Sequence, residues 1–202
     1  MTDPDPRLAT TIVAIDAANA RDPNHVDVAG KSEPSELVYG RRMSETLARL
    51  APDASVHLRI AARGQHIERW TSPRNSYPEG RAGYLKWRTD LKDYHARRVG
   101  EIMAAAGYGA DDIARVGALI RKERLKRDSE AQLLEDVVCV VFLEHYIGAF
   151  AAKTDASKLP DILAKTWNKM SPLGHEHALK LQLSPAIHRL LEEGLSRQRA
   201  TG

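Results

Sequence analysis

The sequence predicts an all-α fold, a single-domain helical bundle, and three observations carry that expectation. First, its 202 residues are 43% hydrophobic and 28% charged, ordinary values for a folded chain, which excludes disorder and fibrous repeats. Second, only 5% are aromatic, while Ala, Leu, Arg and Glu are plentiful; these are strong helix formers. Third, apolar residues recur at helical spacing between short breaks rich in Pro, Gly and Ser.

The first helix is expected to start at Asp5-Pro6, an N-cap followed by proline at the first helical position. It runs through Leu8, Ile12, Val13, Ile15 and Ala18, and Asp22-Pro23-Asn24 stops it. His25 to Pro34, with Gly30 and Ser32 inside, reads as a loop. Leu37, Val38, Met43, Leu47 and Leu50 mark a second helix. Pro52-Asp53 separates it from a third, with Val56, Leu58, Ile60, Ala61 and Ala62, ending near His66–Trp70. Thr71–Gly83 holds Pro73, Pro78, Gly80 and Gly83 and reads as an irregular loop of a length that tends to serve function. A long helix follows from Tyr84 to about Ala106, closed by Gly107-Tyr108-Gly109. Ala110–Arg124 is amphipathic. Asp128-Ser129 opens the next helix, with Ser129 and Gln132 spaced as a capping box. Its centre, Val137–Leu143, is apolar on every side, as suits a helix surrounded by others. Ser157, Ser171-Pro172 and Ser184-Pro185 start the helices of the tail. The domain is expected to have a core over about 36–150 and a helical extension over about 155–200.

Charge and cysteine usage narrow the function classes. Lys and Arg total 30 against 27 Asp and Glu, a net charge of +3. That is far below the excess of a dedicated nucleic-acid binder. Cys139 is the one cysteine, so an intramolecular disulfide and a Cys-rich zinc site are excluded. Its place in the apolar run makes it inert. That run is too short to span a bilayer, and Met1–Pro6 lacks an apolar signal core. The expected location is the cytoplasm, with no membrane partner.

Three polar positions stand where packed helices prefer apolar ones: His66, His95 in Asp93-Tyr94-His95, and Asp136 after Glu135. Imidazole and carboxylate on neighbouring helices are the donors of a facial metal site. His66, His95 and Asp136 are therefore the expected ligands of one divalent ion, Mn, Fe, Zn or Mg. A second signal is basic. From Arg59 to Arg98 ten basic residues face four acids, a local +6 against +3 for the whole chain. Arg69, Arg74, Arg81 and Arg88 surround the Pro-Gly loop, interleaved with Trp70, Tyr77, Tyr84 and Trp87. Guanidinium forks suit phosphate or carboxylate, and the rings suit stacking. A second basic patch, Arg121–Arg127, reads as a solvated helix end.

The order Ala61-Ala62-Arg63-Gly64-Gln65-His66, then His95, then Leu133-Leu134-Glu135-Asp136 resembles the HD superfamily of metal-dependent phosphohydrolases. That resemblance covers roughly Tyr39 to His145. It departs in two places: Ile67 stands where the superfamily has the aspartate of its His-Asp pair, and Tyr39 or Gly40 where its first histidine falls. Glu36, Glu45 and Glu68 are the candidate replacements, and Lys122 or Lys126 is the basic residue that would face the pocket. A wider set of stretches resembles the family catalogued as domain of unknown function 4202. They are Ile15–Asn24, Arg59–Trp70, Gly83–Arg88, Leu134–Tyr146 and Lys165–Ser171. The HD resemblance implies a metal-dependent hydrolase acting on a phosphate-bearing small molecule or nucleotide. In it His66, His95 and Asp136 hold the metal, Glu68 or Glu135 serves as base or replacement ligand, and Arg69, Arg74, Arg81, Arg88, Trp70 and Tyr77 hold the substrate. The alternative is a non-catalytic module on the same scaffold that binds an anion or RNA; a third reading is a helical interaction protein.

Overall fold

Capping decides where the helices begin. Asp5 accepts a hydrogen bond from the Arg7 amide and opens α1 (Pro6–Asn19), with Pro6 in the first turn. Ser55 accepts from the Leu58 amide and opens α3 (Val56–Gly64); Ser171 does the same for Gly174 at α9 (Pro172–Leu179). Ser184 Oγ accepts from the Ile187 amide at α10 (Pro185–Thr201). The computed structural model describes residues 5–125 and 127–201; Lys126 lies outside the described residues. The fold is all-α: 73% of it is helical, with one two-stranded sheet among the described residues.

The remaining helices are α2 (Ser35–Leu50), α4 (Gly80–Ala105), α5 (Ala110–Arg121), α6 (Ser129–Val141), α7 (Ile147–Ala151) and α8 (Leu159–Trp167). The chain divides into two compact units, Met1–Ala131 and Gln132–Gly202, with the division inside α6. In the first unit α3 is the central element, packed on α1, α2, α4 and α5. Ile15, Met43, Leu47, Leu58, Ile60, Ile67, Val99, Met103, Leu119 and Ile120 are buried there. Gly64 lets α4 approach, since a Cβ at that position would meet Val99 Cγ2 at 2.5 Å. In the second unit Cys139, Val140, Leu143 and Ile147 pack with Leu163, Met170, Ala178, Ile187 and Leu191. There α8 and α10 cross closely.

Several expectations are corrected. His25 to Pro34 is a β-hairpin, β1 (His25–Val28) paired antiparallel with β2 (Lys31–Pro34). Its two-residue turn puts both Ala29 and Gly30 at positive φ, 51° and 80°, the geometry that matches strand twist. Asp27 accepts the Gly30 amide and fixes it. α3 stops at Gly64, two residues before His66, which lies in a turn. One 3-10 turn, Arg69–Thr71, leads into the Pro-Gly stretch and another, Arg74–Ser76, lies within it, and α4 begins at Gly80, four residues earlier than expected. Gly83 makes that start possible, because a Cβ there would lie 2.0 Å from the Pro78 carbonyl oxygen. At α6 the cap is Asp128, which accepts from the amides of Glu130 and Ala131. Gln132 is not the return arm of a capping box; its amide donates to Asp136 and to the Lys169 carbonyl. The apolar helix does not run on uniformly either, since Phe142–Tyr146 forms a π-helical turn before α7. Asp155, not Ser157, caps the turn ahead of α8.

Candidate functional site

The site begins with buried polar residues at the end of α1. Asn19 and Asp22 are 1% and 3% exposed. Asp22 accepts the amides of Asn24 and Glu36, and Asn19 accepts the Glu68 amide. These bonds tie the start of α2 and the turn after α3 to the first helix.

That turn carries His66, Ile67, Glu68 and Arg69. Glu68 sits at φ 50°, a left-handed conformation that costs a non-glycine residue and is retained where surroundings enforce it. Its carboxylate accepts from Arg98 Nε, Tyr94 OH and Arg21 Nη2, each at 2.9 Å. Burial works to raise its proton affinity, but Arg98, Tyr94 and Arg21 outweigh it and hold the carboxyl below the usual range. The structure thus gives Glu68 a clamp's place. Next to it, Arg69 reaches His66 Nδ1 at 3.4 Å and lies over the Trp87 ring at 5.3 Å.

His66 and His95 are brought together, with ring centroids 6.0 Å apart. His66 stacks on Tyr39 at 4.0 Å, and its Nδ1 lies 3.5 Å from Glu36 Oε2. His95, 3% exposed, places Nδ1 2.8 Å from the Ile67 carbonyl oxygen. That contact assigns the proton to Nδ1 and leaves a lone pair on Nε2. His95 Nε2 is buried and has no hydrogen-bond partner among the described residues, as does Gln65 Oε1.

The proton affinities follow from these surroundings. Burial holds His95 down at about 3, with His66 adding to the effect. Burial and the charges of Arg69, Lys122 and Arg88 keep His66 well below the ordinary imidazole value. Both rings are neutral at pH 7. Burial pushes Glu36 up to about 7, with Arg69 opposing and Asp22 reinforcing the rise. Lys122 is itself held left-handed, at φ 59°, as the C-cap of α5. A carboxyl near its midpoint at neutral pH, two neutral imidazoles and three cations thus act on one place in the first unit. Glu36 entered the sequence reading only as a replacement ligand. Its signal was its position, in the first turn of the second helix ahead of the apolar Leu37-Val38.

The other candidates are dispersed in role. Arg74 is spent on its own loop, donating to the carbonyls of Tyr77 and Gly80. Tyr77 donates to Asp90, and the Trp87 indole to the Ser72 carbonyl. Trp70 is half-buried, and Arg81 and Arg88 are exposed. Glu135 and Asp136 belong to the second unit. Glu135 is buried and 3.8 Å from Lys169. Asp136 accepts the Ser171 amide and hydroxyl and the Gln132 amide. Its two oxygens anchor the start of α9, and Gly174 is required there because a Cβ would meet Asp136 Oδ1 at 2.8 Å. His175 is half-buried, stacked on Trp167 at 4.1 Å with Nε2 at the Trp167 carbonyl.

The divalent metal implied by the HD resemblance needs three converging donors. Among the described residues no group of three His, Cys, Asp or Glu side chains is arranged to hold one. Asp136 is engaged by Ser171 and Gln132, and the cations that act on His66 oppose a further positive charge. The donor set fits an anion better than a cation.

Fold and site together define an all-α protein with a buried histidine–carboxyl cluster under a cationic field. The family model described as domain of unknown function (DUF4202) matches residues 9–191, and the chain belongs to that family. Searches of curated proteins and of solved structures return no match. Among the described residues no helix is long and apolar enough to cross a membrane.

Proposed function

We propose that the first unit binds a phosphate-bearing small molecule at the Glu36–His66–His95 cluster. The observation that carries this reading is Arg69 Nη1 at 3.4 Å from His66, whose ring lies 6.0 Å from His95 with its buried, unpartnered Nε2; the charges of Lys122 and Arg88 also act on His66. Guanidinium and ammonium groups attract the phosphate oxygens. The His95 nitrogen accepts from a hydroxyl of the ligand or of a protonated phosphate. Glu36, midway through its titration at neutral pH, is the group able to take or return a proton there.

Sulfate tests the cationic half of the site, which needs no donor to His95, because it keeps one charge state across the range used. Calorimetric titration is expected to show binding at pH 6 that weakens at pH 8. Above about 7 Glu36 becomes an anion and repels the ligand. Arg69→Gln is expected to weaken sulfate by at least about tenfold. Equal affinity in the variant and the parent protein, or no pH dependence, overturns the reading.

Metal-dependent hydrolysis of the same ligand class, which the HD resemblance implies, is the competing reading. One observation favours it: a buried imidazole whose Nδ1 is held by a carbonyl while Nε2 has no partner is oriented as metal-ligating histidines are. Mass spectrometry of protein purified without chelator decides. Stoichiometric metal, lost in His95→Ala, replaces the anion reading.

A further inference from the structure

We infer that the ligand carries a flat aromatic ring, as a nucleoside phosphate does, and that Tyr84 is the platform on which the ring stacks. This rests on the anion reading above. Of the four aromatic side chains around the Pro-Gly loop, Tyr84 is the one left exposed. Trp87 is 9% exposed with its indole bonded to Ser72, Tyr77 is tied to Asp90, and Trp70 is half-buried in a 3-10 turn. Tyr84 is 41% exposed, and its neighbour Leu85 is 51% exposed.

Tyr84 is linked to the anion cluster by a series of pairwise contacts. His66 meets Arg69 at 3.4 Å, Arg69 meets the Trp87 ring at 5.3 Å, and Trp87 meets Tyr84 at 5.9 Å. Arg88 closes the path: its guanidinium lies 5.8 Å from the Tyr84 ring and donates to the hydroxyl, and its charge acts on His66. Arg81 stands one turn earlier on the same side of α4, at helical spacing from Tyr84 and Arg88. The platform is held ready. Arg74 braces the loop, and the Gly83 contact with Pro78 fixes the first turn of α4. A phosphate at the cluster and a ring on Tyr84 therefore use one connected surface.

Paired titrations with ribose 5-phosphate and AMP separate ring from phosphate. The parent protein is expected to bind AMP about tenfold more tightly, the range of one base–aromatic stack. Tyr84→Leu is expected to remove that advantage and leave ribose 5-phosphate unchanged, while Tyr84→Phe retains it. Equal affinities for the two probes, or AMP binding unchanged in Tyr84→Leu, overturns the inference and leaves the anion reading standing. Failure of ribose 5-phosphate to bind, or its indifference to Arg69→Gln, overturns both. A single-stranded RNA bound more tightly than AMP overturns the assignment to a small molecule.

Discussion

Replacing Glu68 tests how the turn that presents His66 and Arg69 is held. The side chain is 10% exposed and accepts from Arg98, Tyr94 and Arg21. Arg21 is 67% exposed and contributes little through solvent. The two remaining bonds, to a partly buried carboxylate, are worth about 1–1.5 kcal/mol each. Glu68→Ala should therefore cost about 2–3 kcal/mol, which for a unit of this size lowers Tm by about 5–10 °C. The backbone adds a second, independent signature. At φ 50° a Cβ is penalised by about 1 kcal/mol, so Glu68→Gly should be the more stable of the two variants by about that amount. In ordinary helical positions the order is reversed. Chemical denaturation followed by tryptophan fluorescence reads the first unit through Trp70 and Trp87. Its native carboxyl titrates below the free value, so the stabilisation is complete at neutral pH. It is lost as pH falls below 4.5 and through the folded value. A Tm change under about 2 °C for Glu68→Ala, or Gly falling below Ala, would refute the clamp.

Glu36 should show the opposite pH dependence. Its folded pKa is raised to about 7 from 4.5, so folding favours the protonated form and stability declines as pH rises through that window. Glu36→Gln is expected to stabilise by about 2 kcal/mol at pH 8, allowing for solvent screening, and by close to nothing at pH 4.5; thermal melts at the two values check it. His95 contributes with the reverse sign. With a folded value of about 3 against 6.5, its burial destabilises as pH falls below 6.5, and His95→Gln should flatten the acid limb of a Tm–pH curve. In the second unit Gly194→Ala drives a Cβ to 2.1 Å from the Pro160 carbonyl oxygen. Separation of α8 and α10 should cost about 3 kcal/mol or more, visible as faster proteolysis after residue 131 with the first unit intact.

Helices were legible because capping and periodicity are local. Asp5-Pro6, Ser171-Pro172 and Ser184-Pro185 each name a start with the residue that satisfies an orphan amide. The apolar run at Val137–Leu143 announced burial, and Val137, Cys139, Val140, Val141 and Leu143 are buried. The hairpin was hidden because Ala29 takes a left-handed turn position that alanine seldom occupies. The early start of α4 was hidden because Gly80 and Gly83 read as loop residues until Pro78 is seen packed against one of them.

For the candidate site, residue chemistry alone picked out His66, His95 and Arg69, since imidazole and guanidinium among apolar neighbours are informative wherever they fall. Partners lie beyond that reach. Sequence offered Asp136 as a ligand and Glu68 as a base, yet the first holds Ser171 and the second holds Arg98 and Tyr94. It offered Glu36 only as one of three replacement ligands, 30 positions before His66, and folding sets it 3.5 Å from that ring. Composition and spacing determined that this chain is helical and carries a cationic, histidine-bearing centre. Which acid meets which histidine, and which aromatic stays in water, depended on long-range packing, because burial and charge pairing are properties of neighbours in space and not along the chain.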